Sequence, residues 1–324
     1  MNRLALFVNI FLFSEVTWGQ AIDAAASFRM IDSDAFVRLH YENDFFSATD
    51  YYYSQGINLE IVHPVFKKFF LNKILVSAKG HKQEGIAFEH NGFTPTSTDY
   101  AEILYGDRPY AGTLTGRVLK YSSNDSLRKR VTSSLTLGVI GPAAGGQAMQ
   151  STIHQWINDS QPLGWPNQIQ NDVVINYEAS LEKNLLLESG TVVINGFGKI
   201  RAGTLSTKLS SGLVLMFGRL NPRIATCFTG GAQAPGRKLT FHFYLQPMVN
   251  LVGYDATLQG GVFNKSSPYT ISSNDVTRFT FQSNAGVVVS LASLYLEYFQ
   301  TYLTREFETG MSHQWGGVRV GVKF

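Results

Sequence analysis

The feature that most constrains the fold of this chain is a two-residue alternation of apolar and polar side chains that recurs along its length. The final residues show it most clearly, with an apolar side chain at every second position: Val318, Val320, Val322 and Phe324. This period is that of a β-strand, whose successive side chains point to opposite faces. Twelve such segments lie at roughly residues 34–43, 55–63, 84–93, 112–121, 130–140, 172–182, 191–202, 207–218, 238–250, 275–289, 294–305 and 314–324. The sequence therefore predicts an all-β protein.

The beginning of the chain is typical of a secretory signal peptide, which we assign to residues 1–20. Arg3 precedes an apolar stretch from Leu4 to Phe13, and small and polar residues follow up to Gln20. This stretch is shorter than the roughly 18 apolar residues that a membrane-spanning helix needs, and no later segment reaches that length. We therefore expect a secreted protein with a single domain, residues 21–324.

A secreted chain without a membrane helix can still span a membrane if its strands close into a barrel, because closure pairs the backbone polar groups. The composition, 13% aromatic and 16% charged, suits a protein that meets both lipid and water. A soluble β-sandwich also alternates, but the number of segments, the signal peptide and a terminal Phe324 that resembles an outer-membrane assembly signal favour a barrel. We expect a twelve-stranded antiparallel transmembrane β-barrel in a Gram-negative outer membrane, with both termini in the periplasm and the odd-numbered connections outside.

Charge and cysteine content argue against two classes of function. The formal net charge is +3, a balance that gives no electrostatic footprint for DNA or RNA. Cys227 is the single cysteine, so an internal disulfide is excluded and a redox pair is not expected. We expect no nucleic-acid partner and a monomeric barrel.

Polar residues suited to catalysis gather in the expected outer connections. Asn43 and Asp44 end the first strand, and their adjacent amide and carboxylate oxygens suit Ca²⁺. An Asx turn at the strand end explains the same pair. Ser54 opens the returning strand, where its hydroxyl either donates to a developing oxyanion or merely terminates the strand.

Within the third outer connection, Gly141 to Asn171, the sequence pattern predicts a short helix from Gln147 to Asn158. At helical spacing Gln150 and His154 lie one turn apart on one face. Histidine titrates close to neutral pH and is the commonest general base. A packed, hydrogen-bonded histidine is the other interpretation.

One inner connection, from Pro64 to Gln83, is longer than a barrel usually needs. It contains the run Phe66-Lys67-Lys68-Phe69-Phe70-Leu71-Asn72-Lys73, whose basic and aromatic residues suit an anionic membrane surface. A capped, partly helical turn is the alternative interpretation.

A set of short motifs resembles the outer-membrane lipid A 3′-O-deacylase family. In chain order the motifs are Asn43-Asp44-Phe45, Tyr53-Ser54-Gln55-Gly56, Gly106-Asp107-Arg108-Pro109-Tyr110-Ala111-Gly112, Gly138-Val139-Ile140-Gly141-Pro142, Gly145-Gly146-Gln147, Gln150, His154, Gly164-Trp165, Gln168, Leu258-Gln259-Gly260 and Glu306-Phe307-Glu308-Thr309-Gly310. The similarity runs from about Phe36 to Phe324.

This resemblance implies a calcium-dependent barrel that hydrolyses the ester-linked acyl chains at the 3′ position of lipid A, in the outer leaflet. It implies that His154 acts as general base on water and that Gln150 orients neighbouring groups. It also implies that Asn43, Asp44 and Ser54 form the cluster that binds the metal and stabilises the oxyanion.

The second outer connection both follows the family and departs from it. The resemblance implies that Asp107 and Arg108 support this connection, near a lipid A phosphate. The family also carries a lysine here, soon after a Ser/Thr-Pro pair, whereas in this sequence Thr94-Pro95 is followed by no lysine before Asp107. Either Arg108 supplies the positive charge, or the substrate preference differs, or the activity is lost.

Two other classes of function remain open beside a lipid esterase. One is a non-catalytic barrel that binds lipopolysaccharide or another surface ligand, and the other is a pore. A pore needs a wide hydrated lumen, and twelve strands with large inner side chains leave limited room for one.

Overall fold

The computed structural model describes residues 26–47, 51–124, 126–188, 191–220 and 239–324. The signal peptide assigned to residues 1–20 and the cysteine at position 227 lie outside the described residues. Within those residues no helix has the length and apolar character that crossing a membrane requires.

Twelve antiparallel strands form one closed barrel, which confirms the predicted fold class. The strands are β1 (Phe36–Asn43), β2 (Tyr52–Val62), β3 (His81–Thr94), β4 (Ala111–Asn124), β5 (Lys129–Ile140), β6 (Asp172–Glu188), β7 (Val192–Gly203), β8 (Ser206–Arg219), β9 (Leu239–Asp255), β10 (Phe279–Leu291), β11 (Leu294–Leu303) and β12 (His313–Lys323). Each strand pairs with its neighbours in the chain, and β1 pairs with β12 to close the sheet. The largest departures from the sequence boundaries are at the ends of β6 and β9, which continue to Glu188 and Asp255.

The alternation separates a polar interior from an apolar exterior. In β1 the side chains of Arg38, His40 and Glu42 are buried inside the barrel, whereas Leu39 between them is 50% exposed. Buried charges are stable only when they are paired. Arg38 meets Glu60 at 2.5 Å, and charged side chains from other strands form further ion pairs across the interior.

The two rims of the barrel differ in their connections. The terminal rim holds the chain ends of β1 and β12, and two of its turns are short, at residues 125–128 and 292–293. The distal rim, at the opposite end, holds the connections that follow odd-numbered strands. Its longer connections carry helix α1 (Gly146–Ile157), between β5 and β6, and helix α2 (Ala256–Gln259), after β9.

The segment that precedes β1 enters the lumen at the terminal rim, and we call residues 26–31 the N-terminal plug. Phe28 stacks on Tyr244 with ring centroids 3.8 Å apart, and its carbonyl oxygen accepts a hydrogen bond from His242 Nε2 at 3.2 Å. Arg29 forms an ion pair with the buried Glu297 at 3.0 Å. The plug therefore fills interior space that a pore would need.

Candidate active site

The wall side of the site begins where β1 ends. Asn43 continues the outward face of β1, two positions after Tyr41. Its amide nitrogen donates to the backbone oxygen of Ser54 on β2, and its amide oxygen accepts from the Phe45 N–H at 2.8 Å. The second contact is the Asx turn that the sequence offered as an alternative, and it leaves a lone pair on the Asn43 oxygen for a ligand. Asp44 follows in the turn and is only 3% exposed.

A β-bulge shapes the facing part of β2. The pairing of β2 with β3 shifts register between Tyr53 and Gln55, so Ser54 is an extra residue in the strand. Tyr53 packs inside the barrel against Trp315, with ring centroids 5.3 Å apart. The Ser54 hydroxyl shares a 2.6 Å hydrogen bond with Thr94 Oγ1. Gln55 is buried, and its Nε2 donates no hydrogen bond to a described residue.

Helix α1 supplies the other side of the site, and glycines let it lie close to the outer wall. Gly141 and Gly145 adopt φ of +106° and +75°, which L side chains rarely do. A Cβ on Gly146 would lie 2.6 Å from the Trp165 ring and 3.3 Å from Gly112 of β4. The helix ends at Ile157 and is capped by Asn158, whose φ of 59° is left-handed.

Side-chain hydrogen bonds then fix α1 in that position. Trp165 Nε1 donates to Gln150 Oε1 at 2.6 Å, so Gln150 ties the helix to the buried indole. His90 of β3 donates from Nε2 to the Ala144 carbonyl just before the helix, at 3.1 Å. Tyr110 packs on Trp165, and burial raises the pKa of its phenol to about 12.

A cavity of about 290 Å³ lies between the barrel wall and α1. Its lining combines residues of the wall with residues of the helix: Asn43, Asp44, Phe45, Ser54, Gln55, Gln150, Ile153, His154, Ile157 and Asp159. The fold thus brings together the five side chains that the sequence proposed for catalysis. Because Asn43 and Gln55 continue the outward faces of β1 and β2, the cavity lies on the lipid-facing side of the wall and not in the lumen.

The hydrogen bond of His154 determines which ring nitrogen can accept a proton. Nδ1 lies 2.5 Å from the backbone oxygen of Ser160. A carbonyl oxygen only accepts, so Nδ1 carries the hydrogen and the neutral ring keeps its lone pair on Nε2. Asp159 Oδ2 is 3.9 Å from Nδ1, close enough to stabilise the imidazolium that forms when Nε2 takes up a proton. Both Ser160 and Asp159 lie outside the sequence motifs.

The oxygen atoms of the cavity match the preferences of a hard cation. Asp44 offers a carboxylate, Asn43 an amide oxygen and Ser54 a hydroxyl, and Ca²⁺ takes six to eight such ligands with waters and carbonyls completing the set. No cluster of three or more His, Cys, Asp or Glu side chains arranged for a metal occurs among the residues described. A calcium ion here would therefore depend on amide, hydroxyl, backbone and water oxygens beside Asp44.

The structure places Asp107 and Arg108 away from this cavity. Arg108 is 1% exposed, forms an ion pair with Glu306 and donates to Thr257 Oγ1 at 2.6 Å. Asp107 accepts from the backbone N–H of Thr96 at 2.9 Å. Arg108 therefore joins three connections of the distal rim, whereas the Asp107 carboxylate stabilises its own connection. Contact of either residue with a lipid phosphate remains a prediction.

Sequence reasoning missed several neighbours of the site. Asp159 and Ser160 follow α1 directly, and only the reversal of the chain after Asn158 brings them to His154. Glu306 belongs to a motif quoted above, but no local pattern links it to Arg108. Gln55 stands beside Ser54 in a quoted motif, but the bulge that orients its side chain arises from the pairing of β2 with β3, which the local sequence does not show.

Comparisons with known proteins give one family. A family model described as outer membrane protein LpxR matches residues 6–324. LpxR from Salmonella typhimurium has a similar solved structure, with a TM-score of 0.72 and 17% identity over 89% of this chain and 100% of that chain. The beta domain of the Bordetella autotransporter BrkA has a TM-score of 0.47 and 11% identity over 91% of this chain and 100% of that chain. No match is found among curated proteins. At 17% identity the likeness to the Salmonella structure concerns the fold.

Proposed function

Because this chain belongs to the LpxR family of outer-membrane proteins, we propose that it is a lipid A deacylase that hydrolyses ester-linked acyl chains at the 3′ position. The observation that carries the proposal is the placement of His154, whose Nδ1 is bonded to Ser160 and whose Nε2 lone pair is left to accept a proton, in a cavity shared with Asp44 and Ser54. A histidine that only packed would not require a carboxylate, a hydroxyl and amides gathered around it on the lipid side of the wall.

The location of the cavity suits a lipid substrate. Acyl chains of a membrane lipid lie along the outer wall of a barrel, so their ester groups reach a site at the rim without leaving the membrane. Phe45 and Ile157 line the cavity and are exposed, which gives it an apolar edge. The distal rim carries the two longest connections, those after β5 and β9, as the extracellular side of such barrels does, and this supports a site that faces the outer leaflet.

The residues support a water-based hydrolysis. His154 Nε2 removes a proton from water as the oxygen attacks the ester carbonyl carbon, and the imidazolium is stabilised by its Nδ1–H bond to Ser160 and by Asp159. The Ser54 hydroxyl and the Gln55 amide are the candidate donors to the oxyanion of the tetrahedral intermediate. When the carbon–oxygen ester bond breaks, the proton on Nε2 passes to the departing sugar oxygen. The products are a free fatty acid and a lipid A hydroxyl.

We propose Asn43 and Asp44 as the residues that hold Ca²⁺, with Ser54 beside them. The ion would offset negative charge that develops on the carbonyl oxygen. Among the described residues that line the cavity there is no lysine or arginine, and Arg108 forms its ion pair with Glu306. A positive charge supplied directly by Arg108 is therefore disfavoured, and we propose calcium as the source of positive charge in the cavity.

The test is mass spectrometry of lipid A after purified barrel is incubated with lipopolysaccharide and calcium. The expected result is a product lighter by the mass of its 3′-linked acyl substituent, with the corresponding fatty acid released. His154→Gln protein should give no such product. Binding of lipopolysaccharide with no change in lipid A mass would instead establish the non-catalytic alternative.

A further inference from the structure

The long inner connection does not cross the mouth of the barrel but lies against its outer wall, and we call residues 64–79 the belt. Tyr177 of β6, which shares the outward face with Ile175, accepts at its hydroxyl from the Val76 N–H and donates to the Ile74 oxygen, each at 3.0 Å. Ser133 of β5 donates to the Val76 oxygen at 2.7 Å. These contacts hold the belt on the lipid-facing side of two strands at the terminal rim.

A buried lysine fixes the middle of the belt. Lys120, on the outward face of β4, donates from Nζ to the Asn72 oxygen at 2.6 Å. The Asn72 amide in turn donates to the Phe66 oxygen at 2.6 Å. Two short 3-10 helices form the belt, Pro64–Lys68 and Phe70–Lys73, and the first is capped by His63. The capped turn predicted as one alternative is thus present, and it forms a fixed surface.

The exposed side chains of the belt include apolar residues and lysines. Phe70 and Ile74 are 66% and 54% exposed, beside the exposed Val65, Phe69 and Val76. Four lysines are exposed as well, Lys67, Lys68, Lys73 and Lys79, and the stretch from Pro64 to Gln83 contains no acidic residue. No ion pair involves these four lysines among the residues described. Apolar and basic groups therefore share one surface at the edge of the apolar wall.

We propose that the belt is a binding surface for an anionic glycerophospholipid of the leaflet at the terminal rim. The headgroup phosphate would meet Lys67, Lys68 and Lys73, while the acyl chains would pack on Phe70 and Ile74. Aromatic and aliphatic side chains with lysines beside them are the combination that holds a protein surface at an anionic membrane interface. This surface is at the rim opposite the candidate active site, so its lipid is a structural partner and not a substrate.

The experiment uses the full barrel, reconstituted in nanodiscs that contain equal amounts of phosphatidylglycerol and phosphatidylethanolamine. Native mass spectrometry then counts the lipids that remain bound after release. We expect wild-type protein to retain phosphatidylglycerol preferentially. The triple variant Lys67→Gln/Lys68→Gln/Lys73→Gln should lose this preference, with retention falling about fivefold for each lysine removed.

A matched control removes the same charge at the same rim but outside the belt, through Lys129→Gln, Lys183→Gln and Lys323→Gln. We expect it to retain phosphatidylglycerol like the wild type, and Phe70→Ser/Ile74→Ser to weaken retention of both phospholipids. Heat-modifiable migration on gels verifies that each variant folds. Equal loss in the two triple variants, or no loss in the belt variant, would overturn the proposal.

Discussion

At the scale of single residues, the proposed chemistry depends on the proton that His154 carries on Nδ1. The Ser160 carbonyl selects this tautomer, and the neutral imidazole then offers Nε2 to the cavity. Glutamine at position 154 keeps a hydrogen-bonding group of related size but cannot accept a proton from water. The role of His154 as a base can therefore be separated from its role in packing.

We expect His154→Gln to lower deacylation by about 10²–10⁴-fold, the usual effect of removing a general base. Lipid A mass spectrometry measures the rate, and heat-modifiable migration monitors folding. His81→Gln is the matched control, because His81 pairs with Asp34 at the terminal rim, far from the cavity. Wild-type activity in the His154→Gln variant would show that His154 is a packing residue and not the base.

A second prediction at this scale concerns Asp44, the buried carboxylate of the cavity. Asp44→Asn removes its charge while keeping its shape, so calcium affinity should fall by at least tenfold, as measured by calorimetry on the folded barrel. Chelation with EGTA should abolish hydrolysis and leave the barrel folded. The control, Asp34→Asn, changes an acid at the opposite rim and should bind calcium normally. Unchanged calcium binding in Asp44→Asn would show that Asp44 is not a ligand of the metal.

At the scale of elements, the site exists because helix α1 lies directly on the outer wall. Gly146 permits this approach, since a side chain there would meet the Trp165 ring. The hydrogen bond between Trp165 and Gln150 then fixes the rotation of the helix. The distance from His154 to Asp44 and Ser54 thus depends on packing between the helix and the wall.

Gly146→Ala should displace α1 and lower deacylation by up to about 100-fold, because a small misplacement of a catalytic group is costly. The barrel itself should fold normally, since its strands are not touched. Gly198→Ala is the control, because a Cβ at that position meets no atom within 4 Å. Equal activity of the two variants would show that the fit of α1 against Trp165 does not position the base.

At the scale of the whole molecule, both proposed binding sites lie on the outer surface of the barrel and not in its lumen. The interior holds paired charges and the N-terminal plug, whereas the candidate site and the belt both lie on the outer surface. This division argues against conduction through the barrel as its function. It also predicts that the plug is what limits the passage of ions.

Phe28→Ala/Arg29→Ala should therefore raise single-channel conductance in planar bilayers severalfold above that of the wild type, because the pair occupies interior volume beside Tyr244 and Glu297. Phe28→Leu/Arg29→Lys keeps most of the volume and the charge, and it should behave as the wild type does. If the wild-type barrel had the same single-channel conductance as the alanine variant, the result would support the pore hypothesis.

The sequence by itself determined which segments form strands and which side chains of each strand share a face of the sheet. The alternation at Val318 to Phe324, and at Arg38 and His40 of β1, is a local property with a period of two, so it can be seen in a single segment. The motifs around Asn43, Ser54 and His154 likewise indicated which side chains to examine. Strand ends were less certain, because β6 and β9 extend past their alternating cores.

Only the tertiary structure decided where those side chains meet. Closure of the barrel brings β1 beside β12, and packing of α1 on the outer wall brings His154 to Asp44, on the lipid side and not in the lumen. The same packing of distant connections pairs Arg108 with Glu306, which takes its charge away from the cavity. Such contacts join residues far apart in the chain, and their free energy depends on shape and burial that no local period encodes.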